Sequence, residues 1–334
     1  MMRKCCFIIP YFGKLPNYFQ LFLKTCSYNH DFDWIVFTDD KTPYQYPDNV
    51  KKICQTFDGF KKLVNTKFDF GVRLDMPYKL CDLKPAYGYI YEDYINNYYF
   101  WGHCDVDTLM GNLSMFLTDD LLAKYDKLFC LGHMTLYKNT RENNRVFMSE
   151  YKNKYLYKDV FSESAYMGFD EEWKDDNNVN RIFLDRNRSV YTNDLSLNFC
   201  VFYLPFRKIT YTGIVKGDNH GYTTEKYKKA IYLWDKGKIL RYTIRGNEVC
   251  EEEYLYIHLQ MRKMSFDSSV LNSDRIQIVP NFFILPDFCE VKKDAIKRTS
   301  KYHNTAEMRK LNRSKKWWHF YYYLKRFSSV IKNA

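Results

Sequence analysis

Glycine is scarce in this chain of 334 residues: 13, against 31 tyrosines and 26 phenylalanines. That ratio excludes collagen-like and glycine-rich low-complexity architectures. No two glycines stand two positions apart, so the Gly-x-Gly-x-x-Gly turn of dinucleotide-binding oxidoreductases is missing. Neither the Gly-x-x-x-x-Gly-Lys-Ser/Thr phosphate loop nor the Gly-x-Ser-x-Gly elbow occurs, which argues against P-loop nucleotide hydrolases and elbow-type serine hydrolases. The 10 cysteines include no Cys-x-x-Cys pair, the usual half of a thiolate zinc site. Several lie inside apolar runs, as in Cys5-Cys6-Phe7-Ile8-Ile9, the pattern of buried, reduced thiols in a cytoplasmic protein. No apolar run reaches about 18 residues, so no transmembrane helix is expected. The stretch from Cys5 to Pro10 is too short for a signal-peptide core, and no small-residue cleavage site follows it.

Positive charge is missing from most of the chain, although the whole carries a formal +11. Residues 292–334 hold 13 Lys and Arg against 2 acids, which leaves 38 of each sign before them (51 less 13, 40 less 2). A neutral body with a basic appendage is unlike a nucleic-acid enzyme, whose charge covers its body, so no nucleic-acid partner is expected. The composition breaks near residue 290, dividing the chain into a globular domain, 1–290, and a tail, 291–334. In the tail, Trp317, Phe320, Tyr321, Leu324, Phe327 and Ile331 fall on one helical stripe, with Lys315 and Arg326 opposite and Lys325 and Lys332 flanking. A basic, aromatic, amphipathic helix suits an anionic membrane surface; a basic arm for nucleic acid is the competing reading. Peripheral attachment to the inner face of the cell membrane is the expected location.

With 46% apolar residues, the body can bury a sizeable core. Cys5–Tyr11, Asp33–Thr38 and Val50–Cys54 read as strands. Pro16–Tyr28, Phe57–Phe68, Pro77 to about Asn96, and Gly111 to about Tyr125 read as helices, and Tyr98–His103 and Lys127–Leu131 as further strands. This alternation predicts an α/β fold of the doubly wound type, with ligands beyond the carboxyl ends of the strands. Residues 138–180 read as polar and irregular. Residues 199–215 and 230–257 read as β-rich, with Lys236-Gly237 as a hairpin turn. Tyr254–Gln260 alternates, placing Tyr256, His258 and Gln260 on one face.

Asp105-Val106-Asp107 is the first chemical candidate. Residues two apart in extended chain face the same way, and paired carboxylates hold a hard divalent cation together with substrate phosphates. The triplet by itself is a weak signal: 27 aspartates produce about two such triplets by chance, and two occur. The other, Asp31-Phe32-Asp33, reads as a solvated turn; only 105–107 follows a strongly apolar strand. The competing reading of Asp105 and Asp107 is a strand-end turn.

The segment Pro77-Tyr78-Lys79-Leu80-Cys81-Asp82-Leu83-Lys84-Pro85-Ala86-Tyr87-Gly88, followed by Trp101-Gly102-His103-Cys104-Asp105-Val106-Asp107 and Gly111-Asn112, resembles a family of bacterial polysaccharide-locus glycosyltransferases long labelled a domain of unknown function. The likeness covers most of residues 4–290. More distantly the chain is similar to the family 32 glycosyltransferases, whose Asp-x-x-Arg stretch precedes an Asp-x-Asp. It departs from them in having Lys84 in place of the Arg and in lacking Gly-Gly-x-Tyr before the acidic pair. The resemblance implies a GT-A-like, Rossmann-type mixed sheet flanked by helices, a nucleotide-sugar donor, Mn²⁺ or Mg²⁺, and transfer of a hexose to a lipid-linked glycan for capsule or similar surface polysaccharide. UDP-galactose and UDP-glucose are the donors it suggests.

By the same likeness, Asp105 and Asp107 bind the metal and diphosphate, and His258 completes the metal site. Gln260, Arg262 and Lys263 lie beside His258 on the diphosphate side, while Lys79, Asp82 and Lys84 belong to the donor side. Asp39 and Asp40, ending the second strand, meet the nucleobase and ribose; helix capping is their competing reading. His133 faces the acceptor, or is a structural histidine. An acceptor hydroxyl needs a partner for its proton, for which Asp170, Glu171 and Asp194 are the candidates. Residues 170–176 hold five acids, and a charge run of that kind also reads as solvated surface. The competing reading of His258 is a hydrogen-bonded histidine at a strand edge. The competing function is a glycan-binding or scaffold protein that has lost catalysis.

Overall fold

The computed structural model describes residues 3–172, 176–200, 203, 205–213, 221–260 and 262–299. The expected tail helix, with its stripe from Trp317 to Ile331, lies outside the described residues.

β1 (Arg3–Tyr11) is buried from Cys5 to Ile9 on both faces, as a central parallel strand must be. Its alternation divides the core: Cys6 and Ile8 join one apolar cluster, Cys5, Phe7 and Ile9 the other. β1 pairs in parallel with β2 (Phe32–Thr38) and with β4 (Tyr98–Cys104), and β2 with β3 (Val50–Cys54). The crossover helices cover opposite faces. α1 (Phe19–Ser27) packs Phe19, Phe22 and Leu23 into one cluster, and α2 (Phe57–Lys67) packs Phe60 and Val64 into the other. Thr56 caps α2 by accepting from Gly59 N, which fixes where that helix begins.

After β4 the chain leaves the sheet through β5 (Thr108–Met110) and returns as a hairpin, β6 (Lys127–Leu131) and β7 (Met134–Lys138). β7 runs antiparallel to β4, and β8 (Val190–Tyr191) completes a seven-stranded mixed sheet of order β3-β2-β1-β4-β7-β6-β8. The fold is therefore α/β with a mixed sheet. The carboxyl ends of β1, β2 and β4 share one edge, and the chain passes from β2 on one side of β1 to β4 on the other. That is a topological switch point, where open α/β sheets bind ligands.

Further strands follow: β9 (Ser196–Phe199), β10 (Lys208–Tyr211), β11 (Tyr222–Thr224), β12 (Ala230–Asp235), β13 (Lys238–Arg245), β14 (Glu248–Tyr254), β15 (Tyr256–His258), β16 (Ser265–Phe266), β17 (Arg275–Val279) and β18 (Phe282–Ile284). They build a five-stranded sheet, β11-β10-β9-β15-β5, and a six-stranded one, β14-β13-β12-β17-β18-β16. The β12–β13 turn is Lys236-Gly237, both at positive φ (46° and 84°), as a two-residue hairpin loop of matching twist requires.

Three expectations change. The helix predicted from Pro77 to Asn96 is a chain of short turns: Pro77–Lys79, Leu80–Leu83, Lys84–Ala86, Tyr87–Ile90 and Glu92–Tyr94. Pro85 has no N–H to carry a helix through this region. The segment 138–180, predicted irregular, contains core: Phe147, Val160, Phe161, Phe169 and Val179 are all buried against the α2 face of the sheet. The folded body also runs past residue 290, because Ala295 and Ile296 of a helix, Lys293–Arg298, pack on Ile231, Leu233 and Leu240. Among the described residues no helix is long and apolar enough to cross a membrane.

Candidate functional site

The ends of two ladders bring the acidic pair and the late histidine together. Asp105 N donates to His133 O at 3.0 Å, extending the β4–β7 pairing by one residue. Thr108 Oγ1 then donates to Asp105 O at 2.7 Å, closing the turn into β5. β15 pairs with β5 so that His258 lies opposite Thr108, and Leu259 N donates to Asp107 O at 2.9 Å. As a result Asp105, Asp107 and His258 each offer a ligand atom within 4.8 Å of the others, and His258 Nε2 is 3.4 Å from Asp107 Oδ1. This is the one such cluster of potential metal ligands among the described residues. His258 is not at a strand edge, since β15 is flanked by β9 and β5. Asn198, its partner on β9, presents Oδ1 to His258 Nδ1 at 3.1 Å and to Gln260 Nε2 at 2.9 Å. With Nδ1 turned to the Asn198 oxygen, Nε2 is the nitrogen that faces Asp107, the outer-shell arrangement usual for a metal-ligating histidine. Burial alone would lower the His258 pKa, but Asp107 and then Asp105 raise it above its ordinary value. Two carboxylates and a neutral imidazole suit Mn²⁺ or Mg²⁺ better than a thiophilic ion.

Lys84 stands behind the cluster. Its Nζ donates to Asp105 Oδ1 and Gly132 O, both at 2.7 Å, and lies 3.5 Å from Asp170 Oδ2. Burial works against its charge, while Asp105 and Asp170 hold its pKa well above the ordinary lysine value. Lys84 thus orders the carboxylates and does not face outward to a donor. Gly132 explains how Asp170 and Glu171 come so near: a Cβ there would meet Asp170 Oδ2 at 2.9 Å and Glu171 Oε2 at 3.0 Å. Tyr166 donates to Glu171 Oε1 at 2.8 Å and lies 3.3 Å from Asp170 Oδ1. The acidic run is solvated surface only in part: Asp176 is exposed, but Asp170 is 1% exposed, and Glu172, 6% exposed, is paired with Arg181 at 2.6 Å. Burial, opposed by Lys84 and reinforced by Glu171, pushes Asp170 up to about 8, and burial also raises Glu171.

Other expected site residues turn inward. Lys79 and Asp82 form a fully buried pair at 2.8 Å. Lys79 also donates to Val160 O and Ala165 O, and Asp82 accepts from Met167 N and Phe169 N, so neither reaches a nucleoside. Asp194 accepts from Ser196 N, Ser196 Oγ and Tyr211 N, so both of its carboxyl oxygens are engaged in tying β9 to β10. The buried Arg262 donates to Cys200 O and Tyr203 O and lies over the Phe206 ring, which takes it away from the diphosphate side. His133 stacks on His258 with ring centroids 4.3 Å apart and meets Tyr256 OH at 2.7 Å. It therefore packs behind the Asp105–Asp107–His258 cluster, as a structural histidine would. Burial, then His258, holds its pKa far below the usual histidine value.

Gln260, at positive φ (50°), shares Asn198 with His258, and Lys263 is exposed. Asp39 accepts from Gly13 N, and Asp40 from Leu15 N and Thr42 N, so they join the loops after β1 and β2 at the ligand edge of the sheet. Tyr11, at the end of β1, lies on the same edge, and burial, then Asp107 and Asp40, raise its hydroxyl pKa. Two residues escaped the sequence reading, Asn198 and Tyr166. Each acts through a partner distant in sequence or inside an apparently irregular segment, and neither belongs to a local motif.

A search of curated proteins found no match. Residues 7–286 match the model of a family of unknown function, DUF6625, and since that match covers most of the chain, including β4, β5, β15 and the residues they bring together, the protein belongs to this family.

Proposed function

We propose that this protein is a metal-dependent glycosyltransferase that moves a hexose from a nucleotide sugar, UDP-galactose or UDP-glucose in the first instance, to a lipid-linked glycan in surface-polysaccharide assembly. The observation that carries the reading is the convergence of Asp105, Asp107 and His258 within 4.8 Å at the switch point of the sheet. These three would hold Mn²⁺ or Mg²⁺, which when bound neutralises charge on a departing diphosphate. The chain's own residues prepare the site. Lys84 fixes Asp105, and Asn198 fixes the His258 ring. Asp39 and Asp40 line the adjoining strand ends, where a nucleoside would lie. Asp170 and Glu171, their pKa values raised, supply a carboxyl group able to hold the proton of an acceptor hydroxyl.

The test is a screen of nucleotide sugars for hydrolysis and transfer by the full chain, with Mn²⁺, Mg²⁺ or a chelator, beside Asp107→Ala. Metal-dependent release of UDP that falls at least a hundredfold in Asp107→Ala, with the thermal transition preserved, supports the reading. Turnover indifferent to both the chelator and the substitution overturns it. Metal and glycan binding without turnover of any donor points to a glycan-binding protein that has lost catalysis.

A further inference from the structure

We propose that Tyr78, braced by Tyr166, is a stacking platform for a pyranose ring beside Asp170 and Glu171; the proposal deepens the glycosyltransferase reading and rests on it for the ring's role as substrate.

Tyr78 is 55% exposed, as is Met76, and Met167 is 40% exposed. Large apolar side chains so placed lose solvent contact only when something covers them. Their placement is firmly fixed. Lys79 and Asp82, next to Tyr78, are fully buried and tie the turn 77–83 to the segment 160–169 through Val160 O, Ala165 O, Met167 N and Phe169 N. Burying an ion pair is costly, and here it holds Tyr78 and Tyr166 edge to face, with centroids 5.3 Å apart and planes at 70°. A fixed aromatic surface has little conformational freedom left to lose on binding.

The chemistry around the ring is two-sided. The Tyr78 face offers apolar contact, while the Tyr166 hydroxyl reaches Glu171 and Asp170, whose oxygens accept hydrogen bonds. Burial, then Cys81, Glu171 and Asp170, push the Tyr78 hydroxyl up to about 12, which puts that hydroxyl in the field of the acidic pair. A pyranose is built the same way, with a face of C–H groups and a rim of hydroxyls. The platform also joins the metal cluster through one ammonium group, because Lys84 contacts both Asp105 and Asp170. A ring stacked on Tyr78 would therefore present its hydroxyls toward Tyr166 and the half-buried Glu171, with the buried Asp170 beyond them. The ring could be borne by the acceptor or by the donor, and the probes below separate the two.

The experiment is saturation-transfer NMR on the full chain with methyl β-galactopyranoside, methyl α-glucopyranoside and UDP-glucose, using wild type, Tyr78→Ala and Tyr78→Trp, each checked by its thermal transition. The expected result is saturation of ring C–H protons in wild type, preserved in Tyr78→Trp and weakened about fivefold in Tyr78→Ala. Tyr78-dependent saturation of the methyl glycosides assigns the platform to the acceptor; saturation of UDP-glucose alone assigns it to the donor. No ring saturation in wild type, or equal saturation in wild type and Tyr78→Ala, overturns the proposal. Mn²⁺ titration of the same samples separates the two readings. Metal binding without a Tyr78-dependent ring signal defeats the platform alone. A ring signal without metal binding keeps the platform and defeats the transferase.

Discussion

Asn198 Oδ1 lies 3.1 Å from His258 Nδ1, and this contact between neighbouring strands sets which imidazole nitrogen faces Asp107. Replacing Asn198 with Ala removes that acceptor and also frees the Gln260 amide. Outer-shell substitutions of this kind weaken metal binding by about 10–100-fold. Asn198→Ala should shift an Mn²⁺ titration, followed by electron paramagnetic resonance of the free ion, by at least tenfold. His258→Ala should shift it further. An unchanged titration in both variants would remove His258 from the ligand set.

The parallel half of the fold was legible because its signal is local. The five buried residues of β1 form one apolar run, and β3 is observed at Val50–Cys54 as predicted. Asp105 and Asp107 were legible for the same reason, two carboxylates directly after an apolar strand. His258 was singled out through family likeness, and the structure brings it to the acidic pair, but its neighbours were not: Asn198 is 60 residues away and meets it only because β9 and β15 run side by side. Lys79, Asp82 and Arg262 were misread because a charged residue in a motif looks the same in sequence whether it faces a ligand or a backbone carbonyl. The acidic run at 170–172 misled similarly: the field of Lys84 and the absence of a side chain at Gly132 admit the first two carboxylates to the interior, and neither cause is adjacent in sequence.

The buried pair Lys79–Asp82 gives a stability prediction. Removing one partner strands the other charge away from water, which costs about 3–5 kcal/mol. Lys79→Met and Asp82→Asn should each lower the urea midpoint markedly, and the double variant should lose less than the sum of the two. Additive losses would show that the two side chains act independently.

Asp170 makes stability depend on pH. Its folded pKa, raised to about 8 mainly by burial, exceeds the unfolded value near 3.9. Between those values the folded protein holds a proton that the unfolded chain releases, so stability falls as pH rises from about 4 to about 8 and is insensitive to this group above that. Glu171 shifts in the same direction; Lys84, Tyr166, Asp82 and Asp105 are the other groups whose charge or hydrogen bonding bears on the site. Melting temperatures at pH 5.5 and 8.0 should differ more in wild type than in Asp170→Asn. Parallel curves would place the ionisation of Asp170 in the ordinary carboxylate range.

The basic tail should tether the protein to an anionic membrane surface. The helix Lys293–Arg298 belongs to the body, since Ala295 and Ile296 are buried on the six-stranded sheet, so a truncation meant to remove the tail should end at Thr299; one ending near 290 would strip a packed helix. Residues 300–334 carry nine Lys and Arg and one acid, with Trp317, Trp318 and several tyrosines among them. Each cation near an anionic leaflet contributes about 1 kcal/mol, and interfacial aromatics add an apolar contribution. The full chain should therefore co-sediment with vesicles containing phosphatidylserine and detach as salt rises toward about 0.5 M, because the Debye length contracts below about 5 Å. The protein ending at Thr299 should stay in the supernatant and keep any metal-dependent donor hydrolysis. Transfer to a lipid-linked acceptor should fall more than transfer to a short soluble one, since only the former gains from confinement to the bilayer surface. Equal sedimentation of the two proteins would defeat the tether, and loss of donor hydrolysis in the shorter one would make the tail part of the folded enzyme.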